Sequence, residues 1–399
     1  MNLEHANHKA WKKPLQLSIG LMVLGLIAAA VGYFVDGHTH FVASWLTYSV
    51  FFIGMGLAAT FFIAVHTIAH GGWQVAFLRV PEALMMFVFP AGVILLLSLI
   101  DIHTLYHWSH EELIDPNSEY YDPLIAHKSS WLNVTFFSIR AVVYVGLWMV
   151  FAYWLRNLSQ KLDETGNLHY WQRIQVVSGI FLAVFAVTSA LATFDWVMST
   201  DPHWYSTLFG WYLFAVVWVS MVAVTVLWVL WLRKHGINPH IRDEHLHDLG
   251  KYMFGFSIFW AYLWYSQYML HWYANIPEET AWHLLRFKEH RILFYSIIIL
   301  NFAIPFFALM SRSAKRKPWV LTFVAFSILI GHALEMWLLV QPSVYHAHYL
   351  EHWTFSLVDL GVLSFMAGLF IFVTMRSLKK APIVPEKHPY FKESLTYKT

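Results

Sequence analysis

Ten long apolar segments dominate this 399-residue sequence. A bilayer core requires about 20 apolar residues for each spanning helix. Segments of that length occur near 15–35, 44–69, 80–104, 130–155, 171–196, 205–232, 252–273, 290–310, 319–340 and 353–375. Charged residues make up only 13% of the chain, about half the share in soluble domains. The sequence therefore predicts an all-α integral membrane protein with about ten transmembrane helices.

The segments predict a single transmembrane domain over residues 1–399. It divides into an N-terminal segment (1–14), a ten-helix region (15–375) and a tail (376–399). The first span is expected to remain as an anchor because it has full length and no A-x-A-like cleavage site follows it. The tail contains three prolines and is expected to be an extended strap across a partner or the membrane surface.

The distribution of Lys and Arg in the loops predicts the orientation. Twenty of these residues lie on the side that holds both termini, and only Lys128, Arg286, Lys288 and Arg291 lie on the other side. We therefore expect both termini in the cytoplasm and the acidic loop from Glu111 to Asp122 outside it. If the host is a Gram-negative bacterium, the acidic loop faces the periplasm and the expected location is the inner membrane.

The composition also excludes several classes of function. The chain contains no Cys, so it cannot ligate an iron–sulfur cluster through thiolates, attach c-type haem, or form a disulfide. The high apolar content excludes intrinsic disorder, and the formal net charge of +2 gives no basic surface for nucleic acid. Any electron transfer would need partner chains or His ligands.

Ionisable residues inside the spans are the main candidates for function, because burying them in lipid is costly. Two clusters are expected, with Arg140 near mid-membrane between them. These residues form the set of proton-path candidates: an outer cluster of Asp101, Asp195, His332, Glu335 and Asp359, and an inner cluster of His66, Arg79 and Glu82. The alternatives are that Asp101, Asp195 and Asp359 are solvated helix ends, and that Glu335 and Arg140 belong to structural ion pairs.

The 24 His residues raise the question of haem or metal. Paired His at matching depth, which b-type haem would need, are not evident, and a haem–copper site would need six buried His. Three groups have spacing that could hold a metal: His66 with His70; His103 with His107 and His110; and His346 with His348 and His352. Since each lacks a converging further ligand, neither haem nor a metal is expected in this chain.

The aromatic segment Phe259–Tyr273 has two interpretations. It could line a slot for a quinone ring, with Gln267, His271 or Asn275 facing the polar edge of the ring. An aromatic belt that anchors the helix at the membrane interface is the commoner arrangement.

Three stretches resemble a known family: TFDWVMSTDPHWYSTLFGWY (Thr193–Tyr212), FWAYLWYSQYMLHWYANIPEET (Phe259–Thr280) and RVPEAL (Arg79–Leu84). They are similar to the ActF-type membrane subunit of alternative complex III, a bacterial quinol:cytochrome c or quinol:electron-acceptor oxidoreductase. The resemblance covers essentially the whole chain. It implies a polysulfide-reductase-like (NrfD-like) fold with two four-helix bundles, spans two to five and six to nine, flanked by peripheral helices.

The resemblance also implies partners. In such complexes, quinol is oxidised at an NrfD-like subunit, and electrons pass to iron–sulfur clusters and c haems on an iron–sulfur protein and a multihaem cytochrome. A larger NrfD-like sister subunit is expected to hold the better quinol pocket. This chain would then be cofactor-free, structural and proton-conducting, with Asp195, Glu335, His332 and Arg140 as the residues to test. A stand-alone proton-coupled transporter and a b-type cytochrome are the alternative hypotheses.

Overall fold

The computed structural model describes residues 3–347 and 354–398, with side chains from residue 10 onward. The described chain is helical and contains no strand, which confirms the all-α prediction. Ten long helices follow the ten apolar segments: α1 (Leu3–Asp36), α2 (His38–Ile68), α3 (Arg79–Leu105), α4 (Val134–Thr165), α5 (Leu168–Trp196), α6 (Phe209–Lys234), α7 (Asp243–Ala274), α8 (Arg291–Ala308), α9 (Pro318–Ala347) and α10 (Leu357–Lys379).

Within these ranges, nine of the ten helices are long and apolar enough to cross a membrane. The remaining helix, α7, is 32 residues long and packs along α6. Its Tyr, Trp, His and Gln side chains lower its mean hydropathy. The predicted segment 252–273 is therefore a helix of the bundle that composition alone does not assign to the membrane.

The long helices pack in two groups of four. Helices α2 to α5 form one group and α6 to α9 form the other, and α2 also contacts α6 and α9 where the groups meet. Helices α1 and α10 pair with each other beside α2. This packing agrees with the predicted pair of four-helix bundles flanked by peripheral helices.

Close packing of α1 against α10 depends on glycine. A Cβ atom at Gly361 would lie 2.3 Å from the Ala29 backbone nitrogen, and one at Gly25 would lie 2.4 Å from the Phe365 nitrogen. The two helices run antiparallel, so both ends of the chain lie on one side of the bundle, which we call the terminal face. The other side is called the loop face.

Two of the helices are irregular. Helix α3 contains 3-10 turns at Met85–Phe87 and Ser98–Asp101. Helix α8 contains a π turn at Ile299–Ala303, just before Pro305, whose missing N–H cannot continue the helical hydrogen bonds. The π turn includes Asn301, whose side chain bonds Glu335 on α9.

The tail crosses the terminal face of its own chain. Ser394 Oγ donates to the Trp73 carbonyl at 2.9 Å and accepts from the Ala76 N–H at 2.9 Å. Tyr397 donates to Asp248 at 2.6 Å. The tail thus packs on its own helices and ends in a short helix, Phe391–Thr396, whereas its expected contact with a partner or the membrane surface stays a prediction.

Candidate functional site

Glu335 lies near the middle of α9, where four side chains converge on its carboxyl group. Trp260 Nε1 donates to Oε1 at 3.0 Å, and the Tyr212 hydroxyl donates to the same oxygen. Asn301 Nδ2 donates to Oε2 at 3.1 Å, and His332 Nδ1 lies 2.7 Å from Oε2. These partners lie on four helices, α6 to α9. The carboxyl group therefore contacts side chains from every helix of the α6–α9 group.

This site is closed to the surrounding solvent. Glu335 is 1% exposed, and His332 and Asn301 are fully buried. An ionised carboxyl group accepts about four hydrogen bonds, which is the number found here. The predicted pairing of His332 with Glu335 is present, since a spacing of three residues places both on one helix face.

A small cavity adjoins the site on the side toward the loop face. Its volume is about 20 Å³, which is room for about one water molecule. Both Glu335 and Gln267 line it, together with Arg286 and His283. As arranged, these side chains leave no space for a quinone ring.

The other two quinone candidates, His271 and Asn275, do not line this cavity. His271 Nδ1 bonds the Gln267 carbonyl at 2.7 Å, and its ring stacks on Trp204 with centroids 5.6 Å apart. Asn275 is exposed and ends α7 in a left-handed conformation, with φ of 49°. Most tyrosines of α7 face outward, which agrees with the aromatic-belt interpretation: Tyr262, Tyr265, Tyr268 and Tyr273 are exposed.

A second buried site lies near the terminal face between α3 and α4. Glu82 accepts from Arg156 at 2.5 Å, from Ser159 at 2.5 Å and from Arg79. Arg79 also forms an ion pair with Asp163. Arg79 and Glu82 are each 1% exposed, so two cations and two anions neutralise one another inside the protein.

His66 does not belong to this second site. Its Nε2 lies 2.9 Å from the Tyr252 hydroxyl and its Nδ1 lies 2.8 Å from the Phe62 carbonyl. The expected inner cluster of His66, Arg79 and Glu82 is therefore corrected to a cluster without His66. Arg156, Ser159 and Asp163 complete it, all from α4.

Arg140 and Asp195 form a third buried site. Arg140 Nε and Nη2 each lie 2.8 Å from a different carboxylate oxygen of Asp195. The guanidinium also packs over the Trp131 ring at 4.2 Å from its centroid. Because α4 begins at Val134, Arg140 lies in its second turn, toward the loop face. Arg140 thus lies near one end of α4 and not at its middle, whereas its depth in the membrane stays a prediction.

Asp359 anchors a fourth site near the loop face. It accepts from Ser44 at 2.5 Å and lies 3.0 Å from His40 Nε2. The solvated-end interpretation is wrong for Asp195 and Asp359, which are 2% and 0% exposed. It fits Asp101, whose side chain is 36% exposed and bonds His38.

The predicted outer cluster is therefore not one cluster. Asp195 belongs to the first bundle, Glu335 to the second, and Asp359 to the junction of α2 with α9 and α10. Each carboxyl group has its own set of partners. Sequence reasoning missed most of these partners because neutral residues such as Tyr212, Asn301 and Ser44 carry no charge signal, and because His40 lies outside the predicted span 44–69.

The predicted His groups have separate partners. His70 Nδ1 lies 3.1 Å from the Tyr390 hydroxyl, whereas His66 bonds Tyr252. His103 bonds Ser109 at 3.0 Å. His348 and His352 lie outside the described residues. Within residues 3–347 and 354–398, no group of three or more His, Cys, Asp or Glu residues is placed to hold a metal ion.

The tail covers the second site. The Pro382 carbonyl accepts from Arg79 Nε at 3.1 Å, and the ring of His388 packs on Trp171 with centroids 4.8 Å apart. Burial lowers the pKa of His388 to about 4, although the negative charge of Glu82 opposes the shift. Docking of the tail therefore favours neutral His388.

We expect the tail to dock less tightly in acid. An undocked His has a pKa near 6.5. The contribution of neutral His388 to the stability of tail docking is therefore fully present above about pH 6.5 and is lost as the pH falls toward 4. The maximal loss is about 3 kcal/mol. Hydrogen exchange of residues 384–396, corrected for intrinsic rates at each pH, should show the change. In His388→Gln the pH dependence should vanish, and its persistence there would contradict the assignment.

Neither a scan against protein-family models nor a search of curated proteins returns a match for this chain.

Proposed function

We propose that this chain is a cofactor-free membrane subunit of a quinol-oxidising respiratory complex in the bacterial inner membrane, and that it conducts protons through Glu335. The observation that carries the proposal is the carboxyl group of Glu335, buried at the middle of α9 with His332, Tyr212 and Asn301 as hydrogen-bonding partners. Such a group is costly in a membrane protein and marks proton relays.

The chemistry of the partners supports proton movement. A carboxyl group and an imidazole joined at 2.7 Å can exchange a proton along their hydrogen bond. The second nitrogen of His332 is buried and accepts no hydrogen bond from a described residue. It gives the pair an open position for a proton to arrive.

The lack of Cys fits the part of the proposal that places the redox centres on partner chains. Electrons would need iron–sulfur clusters and c haems on partner chains: an iron–sulfur protein, a multihaem cytochrome c and a larger NrfD-like sister subunit. The quinol pool in the lipid would supply the electrons, and cytochrome c or an oxidase would receive them. These partners rest on the resemblance of the three sequence motifs.

A second candidate function is a stand-alone proton-coupled transporter. It is favoured by the π turn at Ile299–Ala303, which brings Asn301 onto Glu335. Transporters commonly bind substrate beside such irregular helices near the membrane midplane. Purification in mild detergent separates the two candidates: haem- and cluster-bearing chains should copurify with a respiratory subunit, whereas a transporter should purify alone and colourless.

Glu335→Gln is expected to leave the complex assembled and to lower the proton uptake coupled to quinol oxidation by about a hundredfold or more, the lower end of the range for loss of a proton-transfer group. Gln keeps the shape of the side chain but cannot carry a proton. The measurement uses the purified complex in proteoliposomes, with a pH-sensitive dye and a quinol analogue.

The matched control for this experiment is Glu112→Gln, because Glu112 is exposed on the loop face. Proton uptake should be normal in the control. If Glu335→Gln assembles and its ratio of protons to electrons equals that of the wild type, Glu335 conducts no protons.

A further inference from the structure

The cavity beside Glu335 is lined by polar atoms that have no partner among the described residues. Gln267 Oε1 and His283 Nε2 are both buried and accept no hydrogen bond from the described chain. Leaving such a group unsatisfied costs about 1–3 kcal/mol. Both side chains line the same 20 Å³ cavity, so one small molecule there would satisfy both of them.

Arg286 lines the same cavity and is 1% exposed. Its four hydrogen bonds go to uncharged groups, which are the Trp282, Leu338 and Leu339 carbonyls and the Ser343 hydroxyl, at 2.8–2.9 Å. A guanidinium has five N–H groups. These bonds use one of the two N–H groups on Nη1, which leaves the other available.

The charge of Arg286 also bears on Glu335, because both line this cavity. Burial lowers the pKa of Arg286 to about 9, although the negative charge of Asp201 opposes the shift. Burial also lowers the pKa of His283 to about 3, so its ring is neutral and can accept a hydrogen bond. Both a hydrogen-bond donor, on Arg286, and acceptors, on Gln267 and His283, therefore line the cavity.

We infer that one ordered water molecule binds in this cavity beside Glu335, where it donates to Gln267 Oε1 and His283 Nε2 and accepts from Arg286. The cavity volume matches a single water molecule, and buried waters typically make about three hydrogen bonds. This water is the first proton carrier between Glu335 and the loop face. The inference rests on the proposed proton-conducting role of Glu335, and Arg286 acts as a positioning residue.

An exposed acidic residue lies on the same helix face as Arg286. Arg286 and Glu289 are three residues apart on the short helix Pro277–Glu289 and so lie on one face of it. The Tyr345 hydroxyl donates to Glu289 at 2.7 Å, and Glu289 is exposed. A proton leaving the water therefore has an acidic group at the surface nearby.

A cryo-EM map of the full complex, at a resolution that shows ordered water, tests the site directly. The expected result is one peak within hydrogen-bond distance of Gln267 Oε1 and His283 Nε2. An empty cavity would overturn the inference. A peak that disappears when gluconate replaces chloride in the buffer would identify an anion instead, which also overturns it.

Two variants test the relay. Gln267→Leu and, separately, His283→Leu are expected to remove the peak and to slow coupled proton uptake at least fivefold. Gln172→Leu, at an exposed position on α5, should change neither. If the water peak is lost but proton uptake stays normal in both variants, the water does not carry protons. If Glu335→Gln also leaves proton uptake normal, the proposed proton-conducting function of Glu335 is wrong as well. If only the two cavity variants leave proton uptake normal, the proposed function of Glu335 is unaffected.

Discussion

Arg140→Leu should destabilise the protein by about 3–5 kcal/mol, the cost of leaving one member of a buried ion pair without its partner. Arg140 is 6% exposed and Asp195 is 2% exposed. The substitution removes two hydrogen bonds from Asp195, which keeps only Trp131 and Tyr144 as donors. Thermal unfolding in detergent, followed by intrinsic tryptophan fluorescence, measures the loss.

The double variant Arg140→Leu with Asp195→Leu should recover most of this stability. Replacing both members of a buried pair by apolar side chains is often nearly neutral, since neither charge then has to be desolvated. Arg173→Leu is the matched control, because Arg173 is exposed on α5, and its expected effect is below about 0.5 kcal/mol. An unchanged unfolding temperature in Arg140→Leu would show that the pair contributes nothing to stability.

Glu82→Gln is expected to cost a similar amount, about 3–5 kcal/mol, because it leaves Arg79 and Arg156 facing a single carboxylate. Glu82 accepts from both guanidinium groups and from Ser159. The excess positive charge would also loosen the tail, whose Pro382 carbonyl bonds Arg79. We expect a lower unfolding temperature together with faster hydrogen exchange in residues 382–396.

Ser159→Ala is the control for Glu82→Gln that removes hydrogen bonding at the same site but no charge. It removes one hydrogen bond to Glu82 without changing any charge, so its cost should be about 1 kcal/mol. Glu386→Gln, on the exposed part of the tail, should have no measurable effect. Equal losses in Ser159→Ala and Glu82→Gln would mean that charge balance is not what stabilises this site.

Spacing along the sequence predicted contacts between residues on the same helix, but it did not predict contacts between residues on different helices. Arg79 with Glu82, and His332 with Glu335, are three residues apart, so helical spacing alone places each pair on one face. His40 and Asp359 are 319 residues apart, and no local spacing relates them. Their contact depends on how α10 and α9 rotate against α2.

The position of a residue along its helix was harder to predict than the presence of the helix. The predicted span 130–155 placed Arg140 at its middle, whereas α4 runs from Val134 to Thr165. The helix extends by three turns beyond the apolar segment on the terminal side, and this extension carries Arg156 and Asp163 to the second site. Apolar content marks where lipid contacts a helix, but hydrogen bonding decides where the helix ends.

The sequence by itself determined the fold class and the number of long helices, because a bilayer imposes the same local requirement of about 20 apolar residues on each spanning segment. It also established that no thiolate chemistry is available. Only the tertiary structure decided which buried groups meet: Glu335 with Tyr212, Arg140 with Asp195, and the tail with Arg79. These contacts join distant segments, and they follow from helix rotation and packing that no single segment encodes.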